Sequence, residues 1–275
     1  MLKSMFLLVL SALWMANAQG IVIRHDTGYS QYLASETKFP AVFWLEQRSA
    51  RKVCVATLIH PQWALTAAHC VDETNLLGHI ERAGEYVVTI AGGVMGIDEV
   101  VIHPNYAHRY DTEDAGAEVD LALLHLSEPL AMPIPLSLYR GHEELHQIVT
   151  LLGWGYSGLG TTGIQRDDGR FRKAQNVISD IRGRLRFDFA DPRLPGSQAL
   201  ALEGLPGLGD SGGPALLETP AGWRIAGIAV GEIASHDAPP GVQGLYGAVG
   251  VYERVSDHLD WIDVVTGTVA GARDD

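Results

Sequence analysis

A chain of 275 residues is long enough for one large β domain or two small ones that share an interface. With 47% hydrophobic and 19% charged residues it can bury a core, which excludes bulk disorder. The formal net charge of −13 argues against nucleic acid or an anionic membrane surface as the main partner.

Residues 1–20 read as a secretory signal peptide. Lys3 supplies the positive start, Met5–Leu10 and Ala12–Met15 the apolar run, and Ala16-Asn17-Ala18 a small-x-small cleavage pattern. The rival reading is an N-terminal membrane anchor, but the run falls short of the roughly 20 apolar residues that a spanning helix needs. The expected location is therefore secreted, extracellular or periplasmic, with no membrane contact after signal removal.

Strands are expected at Phe39–Leu45, Lys52–Ile59 and Trp63–Thr66, then at Glu85–Ala91, Glu99–His103, Leu121–Leu126 and Ile148–Leu152. Glycine and proline punctuate them, and no long helical periodicity competes. Residues 127–147, with Pro129, Pro133 and Pro135, read as a connection between two halves. Strands resume at Gln175–Ile181, Leu185–Phe189, Pro214–Leu217, Trp223–Val230 and Gly250–Val255. Ser256 is placed to cap a short C-terminal helix whose Leu259, Ile262 and Val265 share one face. Many short strands without βαβ alternation indicate a sandwich or a barrel.

The two cysteines, Cys54 and Cys70, lie 16 residues apart. In an oxidising compartment such a pair reads as one disulfide, worth about 3 kcal/mol in the chain-entropy model. The rival is a metal site made of Cys54, His69 and Cys70, which lacks a fourth ligand at familiar spacing. The acidic run Asp111, Glu113, Asp114 and Glu118 reads as a solvated loop rather than a calcium site. No metal and no cofactor are expected.

Gly209-Asp210-Ser211-Gly212-Gly213-Pro214 places a hydroxyl among glycines, where a substrate can approach the backbone closely. A serine needs a base and an acid to become a nucleophile. Of eleven histidines, His69 stands out, because it follows a strand and precedes Cys70. Asp120 opens the apolar run Asp120-Leu121-Ala122-Leu123, where a carboxylate needs a partner such as an imidazole. A glycine-rich loop and a solvated strand-end acid are the plain alternatives for Ser211 and Asp120. G-x-S-x-G also fits a nucleophile elbow, for which Asp237 and His258 would have to follow the serine as acid and base.

Taken together, Thr66-Ala67-Ala68-His69-Cys70, Asp120-Leu121-Ala122-Leu123 and Gly209 to Pro214 resemble the chymotrypsin-like (trypsin-family) serine proteases. His103-Pro104-Asn105-Tyr106, Gly153-Trp154-Gly155, and Val251-Tyr252-Glu253-Arg254-Val255 before Trp261-Ile262 extend the likeness from about Phe39 to Ile262. The resemblance implies an all-β fold of two antiparallel six-stranded β-barrels with a short C-terminal helix. The first barrel, residues 21–135, would carry His69 and Asp120. The second, 136–268, would carry Ser211 and the helix, with 269–275 a frayed tail. It implies a secreted serine endopeptidase in which His69, Asp120 and Ser211 are catalytic and the N–H groups of Gly209 and Ser211 form an oxyanion hole. Protein or peptide would be the substrate. Asp210 would pair with a new N-terminus, and the matching start is Ile21-Val22-Ile23-Arg24 with no basic cleavage site before it. Signal cleavage after Ala18 leaves Gln19 first, whereas cleavage after Gly20 exposes Ile21.

The substrate pocket departs from the family pattern. Leu205 stands six positions before Ser211, followed by Pro206, and Gly207 replaces a cysteine. Glu232 and Gly250 would line the wall. The apolar floor disfavours lysine or arginine, unless Glu232 partners the charge. Val230 stands where the family has a serine that bonds the triad aspartate. That loss supports a second reading, a protease-fold binding protein with weak turnover.

Overall fold

The computed structural model describes residues 21–106 and 118–268, and its backbone polar groups are satisfied chiefly by strand ladders. The leader reading for residues 1–20, the tail 269–275, and Asp111, Glu113 and Asp114 lie outside the described residues. Strand β1 is Ile21–Ile23. The first sheet is built from β2 (Val42–Arg48), β3 (Arg51–His60), β4 (Trp63–Thr66), β5 (Tyr86–Ile90), β6 (Gly93–Ile102) and β7 (Ala122–Leu126). Their spatial order is β2-β3-β4-β7-β6-β5, with every pairing antiparallel. The end strands approach each other, and the Tyr86 hydroxyl donates to the Leu45 carbonyl, so this barrel is nearly closed. β-branched and leucine side chains explain the choice of strand: Val53, Val55, Leu58, Leu65, Leu123 and Leu124 are all fully buried.

The second sheet contains β8 (Ser137–Leu138), β9 (Ile148–Gly153), β12 (Arg172–Asp180), β13 (Arg184–Asp188), β15 (Pro214–Thr219), β16 (Gly222–Ile233) and β17 (Val249–Arg254). Six of these run β15-β9-β12-β13-β17-β16, and pairing of β15 with β16 closes the ring, while β8 adds to β16 in parallel. The two antiparallel six-stranded barrels expected from the sequence are therefore present. A small third sheet joins β10 (Ser157–Leu159), β11 (Gly163–Arg166) and β14 (Gly204–Leu205) to β1 in the order β11-β10-β1-β14. The first three described residues thus pair with the second half of the chain. The connection at 127–147 touches both barrels, with Leu136 N–H donating to Leu58 and Tyr139 N–H to Ile225.

Beyond these short unexpected strands, the turn before β6, two helices and the role of Ser256 differ from the sequence reading. β6 starts at Gly93, because Ala91 and Gly92, with φ of 49° and 83°, form the tight turn of a β5–β6 hairpin. Two short helices, α1 (His69–Glu73) and α2 (Leu76–Ala83), follow β4. Neither is long enough to show periodicity; α2 is held by buried Leu76 and by Ile80 one turn on. Ser256 is not a helix cap. It sits in a 3-10 turn, Val255–His258, and its hydroxyl donates to buried Glu144, while α3 begins at Leu259 and ends at Thr266. Ile262 of α3 is buried, with Leu259 and Val265 beside it on the core that the first barrel shares, as their spacing predicts.

Candidate active site

β4 and β7 are antiparallel neighbours with Thr66 opposite Ala122. The end of β4 therefore lies beside the start of β7, and His69 meets Asp120 across that edge. Asp120 Oδ1 accepts the His69 main-chain N–H at 2.9 Å, and Oδ2 lies 2.6 Å from His69 Nδ1. A carboxylate partner makes Nδ1 the protonated nitrogen and leaves Nε2 free to accept a proton. Both side chains are about 15% exposed. Burial pushes His69 down, but the hydrogen bond and charge of Asp120 outweigh it, so the imidazole stays above its ordinary 6.5. Cys70, the next residue, is disulfide-bonded to Cys54 on β3. With both sulfurs in that bond, Cys54, His69 and Cys70 cluster without offering thiolates to a metal.

The chain around Asp120 is anchored at four successive residues. Arg184 donates to the Glu118 carbonyl, Val119 N–H to Asn105, Asp120 N–H to Glu253 Oε1 at 2.8 Å, and His103 N–H to the Leu121 carbonyl. Glu253 is 2% exposed and ion-paired with Arg184 at 2.6 Å. Burial raises Glu253, and Arg184 opposes that rise. Sequence motifs assign no role to either residue: Glu253 lies inside the Val251–Val255 match and Arg184 lies in none. The available signal was a charged pair, Glu253-Arg254, inside an otherwise apolar strand.

Ser211 belongs to the loop before β15. Its carbonyl accepts the Val55 N–H at 2.7 Å, which fastens the loop to β3 beside Cys54. Gly212 has a φ of 78°, and any side chain there would collide with the Val55 carbonyl and the Thr66 hydroxyl. The Gly212 backbone is thereby seated against Thr66 and Ala67, which lead into His69. The N–H groups of Asp210, Gly212 and Gly213 are bonded to Gly207, Ala229 and Asp210. Among the described residues, those of Gly209 and Ser211 meet no acceptor. Two free amides on one loop are suited to an oxygen that gains negative charge.

Asp210 is 1% exposed in a cradle built by Gly153 and Gly155, where any Cβ would press on its carboxyl. Oδ1 accepts the Gly155 N–H at 2.6 Å and Oδ2 the Gly207 N–H at 2.8 Å. Burial outweighs these bonds and raises its pKa from 3.8 to about 6. Ile21 lies along the same edge, opposite Ser157 and wholly buried.

The expected pocket residues come together. A Cβ on Gly250 would sit 2.9 Å from Leu205 Cδ2 and 3.4 Å from Pro206 Cδ, and Glu232 is its cross-strand neighbour. Leu205 is fully buried. The Glu232 carboxylate is engaged by the Gly244 N–H at 2.8 and 3.1 Å. Asp237 and His258, the residues a nucleophile elbow would need, do not meet. Asp237 is 96% exposed beside His236, while His258 packs on His103.

The chain is also similar to known proteins over most of its length. The family model described as Trypsin matches residues 30–262. The chain is 28% identical over 233 residues to phenoloxidase-activating factor 3 of Holotrichia diomphalia, covering 76% of this chain and 62% of that protein. It is 29% identical to vitamin K-dependent protein C of Oryctolagus cuniculus, covering 76% of this chain and 45% of that one. Rattus norvegicus protein C is likewise 29% identical, with 78% and 46% covered. The chain thus spans about half to three-fifths of the length of these relatives.

Asp210 yields a prediction about stability. Its folded pKa of about 6 exceeds the ordinary 3.8, so its contribution is fully present below pH 3.8 and is lost as pH rises through about 6. In the chain retaining residues before Ile21, denaturant unfolding should show this loss, and Asp210→Asn should remove that part of the pH dependence. An unchanged pH profile in the variant would contradict the assignment.

Proposed function

Because the chain belongs to the trypsin family, we propose that it is a secreted serine endopeptidase acting through an acyl-enzyme. The observation that carries this reading is the double hydrogen bond from His69 to Asp120 beside the anchored Ser211 loop. Ser211 Oγ attacks the carbonyl carbon of the peptide bond and passes its proton to His69 Nε2. The carbonyl oxygen takes the negative charge, facing the Gly209 and Ser211 N–H groups. When the tetrahedral species collapses, the C–N bond breaks and the leaving amine takes the proton from Nε2. Water then repeats the sequence on the acyl group and restores Ser211. Asp120 keeps Nδ1 protonated throughout and stabilises the imidazolium.

Asp210 is the partner of the mature N-terminus in this reading. Cleavage before Ile21 would offer an α-ammonium to a buried carboxylate that accepts two amides and is hydrogen-bonded to no cation. N-terminal sequencing of the secreted protein should begin at Ile21; a start well beyond it, after a basic residue, would contradict the proposal.

Leu205 on the floor, with Gly250 and Pro206 around it, favours a small or apolar residue before the cut bond. Glu232 is occupied by the Gly244 amide and is a poor partner for a substrate cation. Cleavage of a diverse peptide mixture, read by mass spectrometry, should show apolar residues at that position, and a profile dominated by arginine would overturn this.

A catalytically weak binding protein remains the second reading, favoured by Val230, which has no hydroxyl to offer Asp120. A fluorophosphonate probe separates the two. The protein should label, Ser211→Ala should not, and Asp120→Asn should slow turnover by about 10⁴-fold. Because His69 must be neutral to accept a proton, kcat/KM should fall as pH drops through a value above 6.5. Absence of labelling with retained folding would favour the binding protein.

A further inference from the structure

We propose that Glu253 and Arg184, on the second barrel, are positioning residues for the Asp120–His69 pair of the first, and that their mutual neutrality sets the proton affinity of His69. The inference rests on the catalytic reading above but concerns residues that reading does not use. Glu253 Oε1 accepts the Asp120 N–H at 2.8 Å and Arg184 Nε–H at 2.9 Å, and Arg184 Nη2 completes the ion pair at 2.6 Å. Arg184 also holds the Glu118 carbonyl at 2.9 Å. One buried ion pair therefore grips two main-chain groups within three residues, and the acid is fixed through its backbone. This is the support that Val230 cannot supply through a hydroxyl.

The charges around the pair make the electrostatic role specific. Facing Glu253 are Arg184 from β13, Asp120 from the start of β7, and His258 from the 3-10 turn, 4.0 Å away. Burial lowers His258, with Asp257 opposing, and lowers His103 behind it to about 4, so both rings are neutral at pH 7. Facing His69, besides Asp120, are Asp72 and Glu73 of its own helix, and Glu73 pairs with Arg51 at 3.5 Å. Within this set Glu253 and Arg184 cancel. Removing only the carboxylate charge leaves a cation beside Asp120, which opposes protonation of His69.

The experiment follows His69 in isotopically labelled protein by NMR titration, alongside kcat/KM against pH. Glu253→Gln keeps an oxygen for the Asp120 N–H and should lower the His69 pKa, and with it the acid limb, by about one pH unit. Glu253→Gln combined with Arg184→Met restores neutrality and should return the titration to that of the unaltered protein. A purely structural role predicts the reverse, with the double variant worse than the single and no shift in either. If Glu253→Gln does not fold, the double variant, which leaves no unpaired buried charge, still decides: a displaced His69 titration there overturns the proposal. Rapid hydrogen exchange at the Asp120 amide in the unaltered chain would also overturn it. Failure of the catalytic reading has a different signature, loss of fluorophosphonate labelling, which leaves the NMR result intact.

Discussion

Asp120 holds His69 by two atoms at once, the ring nitrogen and the main-chain N–H. A single bond to Nδ1 would choose the tautomer but let the ring swing. The second bond ties the carboxylate to the backbone that carries the ring, so position and tilt are set together. This constraint reaches back through the fold. It requires the end of β4 beside the start of β7, which antiparallel pairing of Thr66 with Ala122 provides. It also requires a rigid start to α1, which the bond from Cys70 to Cys54 provides.

Asp120, Glu253 and Asp210 are carboxylates wholly or largely withdrawn from water, and each meets that cost differently. Asp120 accepts two donors from His69. Glu253 accepts Arg184 and one amide, an arrangement in which the charge is both paired and hydrogen-bonded. Asp210 accepts two amides and no cation, and its pKa rises to about 6. Two amides do not compensate the loss of water around a full charge. The three sites thus range from satisfied to strained, and the strained one sits next to Ser211 in the chain.

The chemistry-bearing residues were legible because a reacting group tolerates few substitutes. Serine among glycines and histidine beside a cysteine stand out in one dimension. Short β-branched runs with glycine and proline between them narrowed the fold to a sandwich or a barrel, and the family resemblance supplied the pair of barrels. What was hidden depends on pairing partners far away in sequence. β1 and β14 are three and two residues long and form through pairing across the chain, β1 lying between β10 and β14. Ser256 looked like a cap because its hydroxyl can serve one, yet Glu144, over a hundred residues earlier, claims it. Arg184 carries no local signal at all; its role appears once β13 lies against β17.

His69 and Ser211 come from different barrels, so their alignment is a property of the interface between barrels. The contacts that set it are mostly main-chain: Val55 N–H to the Ser211 carbonyl, Leu136 to Leu58, Tyr139 to Ile225, and the Gly212 backbone against Thr66. Such contacts are indifferent to side-chain identity except where a side chain would intrude, as at Gly212. Drift of the surrounding sequence therefore costs the alignment little, while the short glycine-bearing motif stays readable. Glu253 is the one carboxylate that spans the interface to a main-chain group of the acid's own residue. Val230 offers Asp120 no hydroxyl, and the two oxygens of that carboxylate are already oriented by His69. What the acid still needs is a fixed backbone, and a charge-assisted bond to its N–H is the stronger way to provide that.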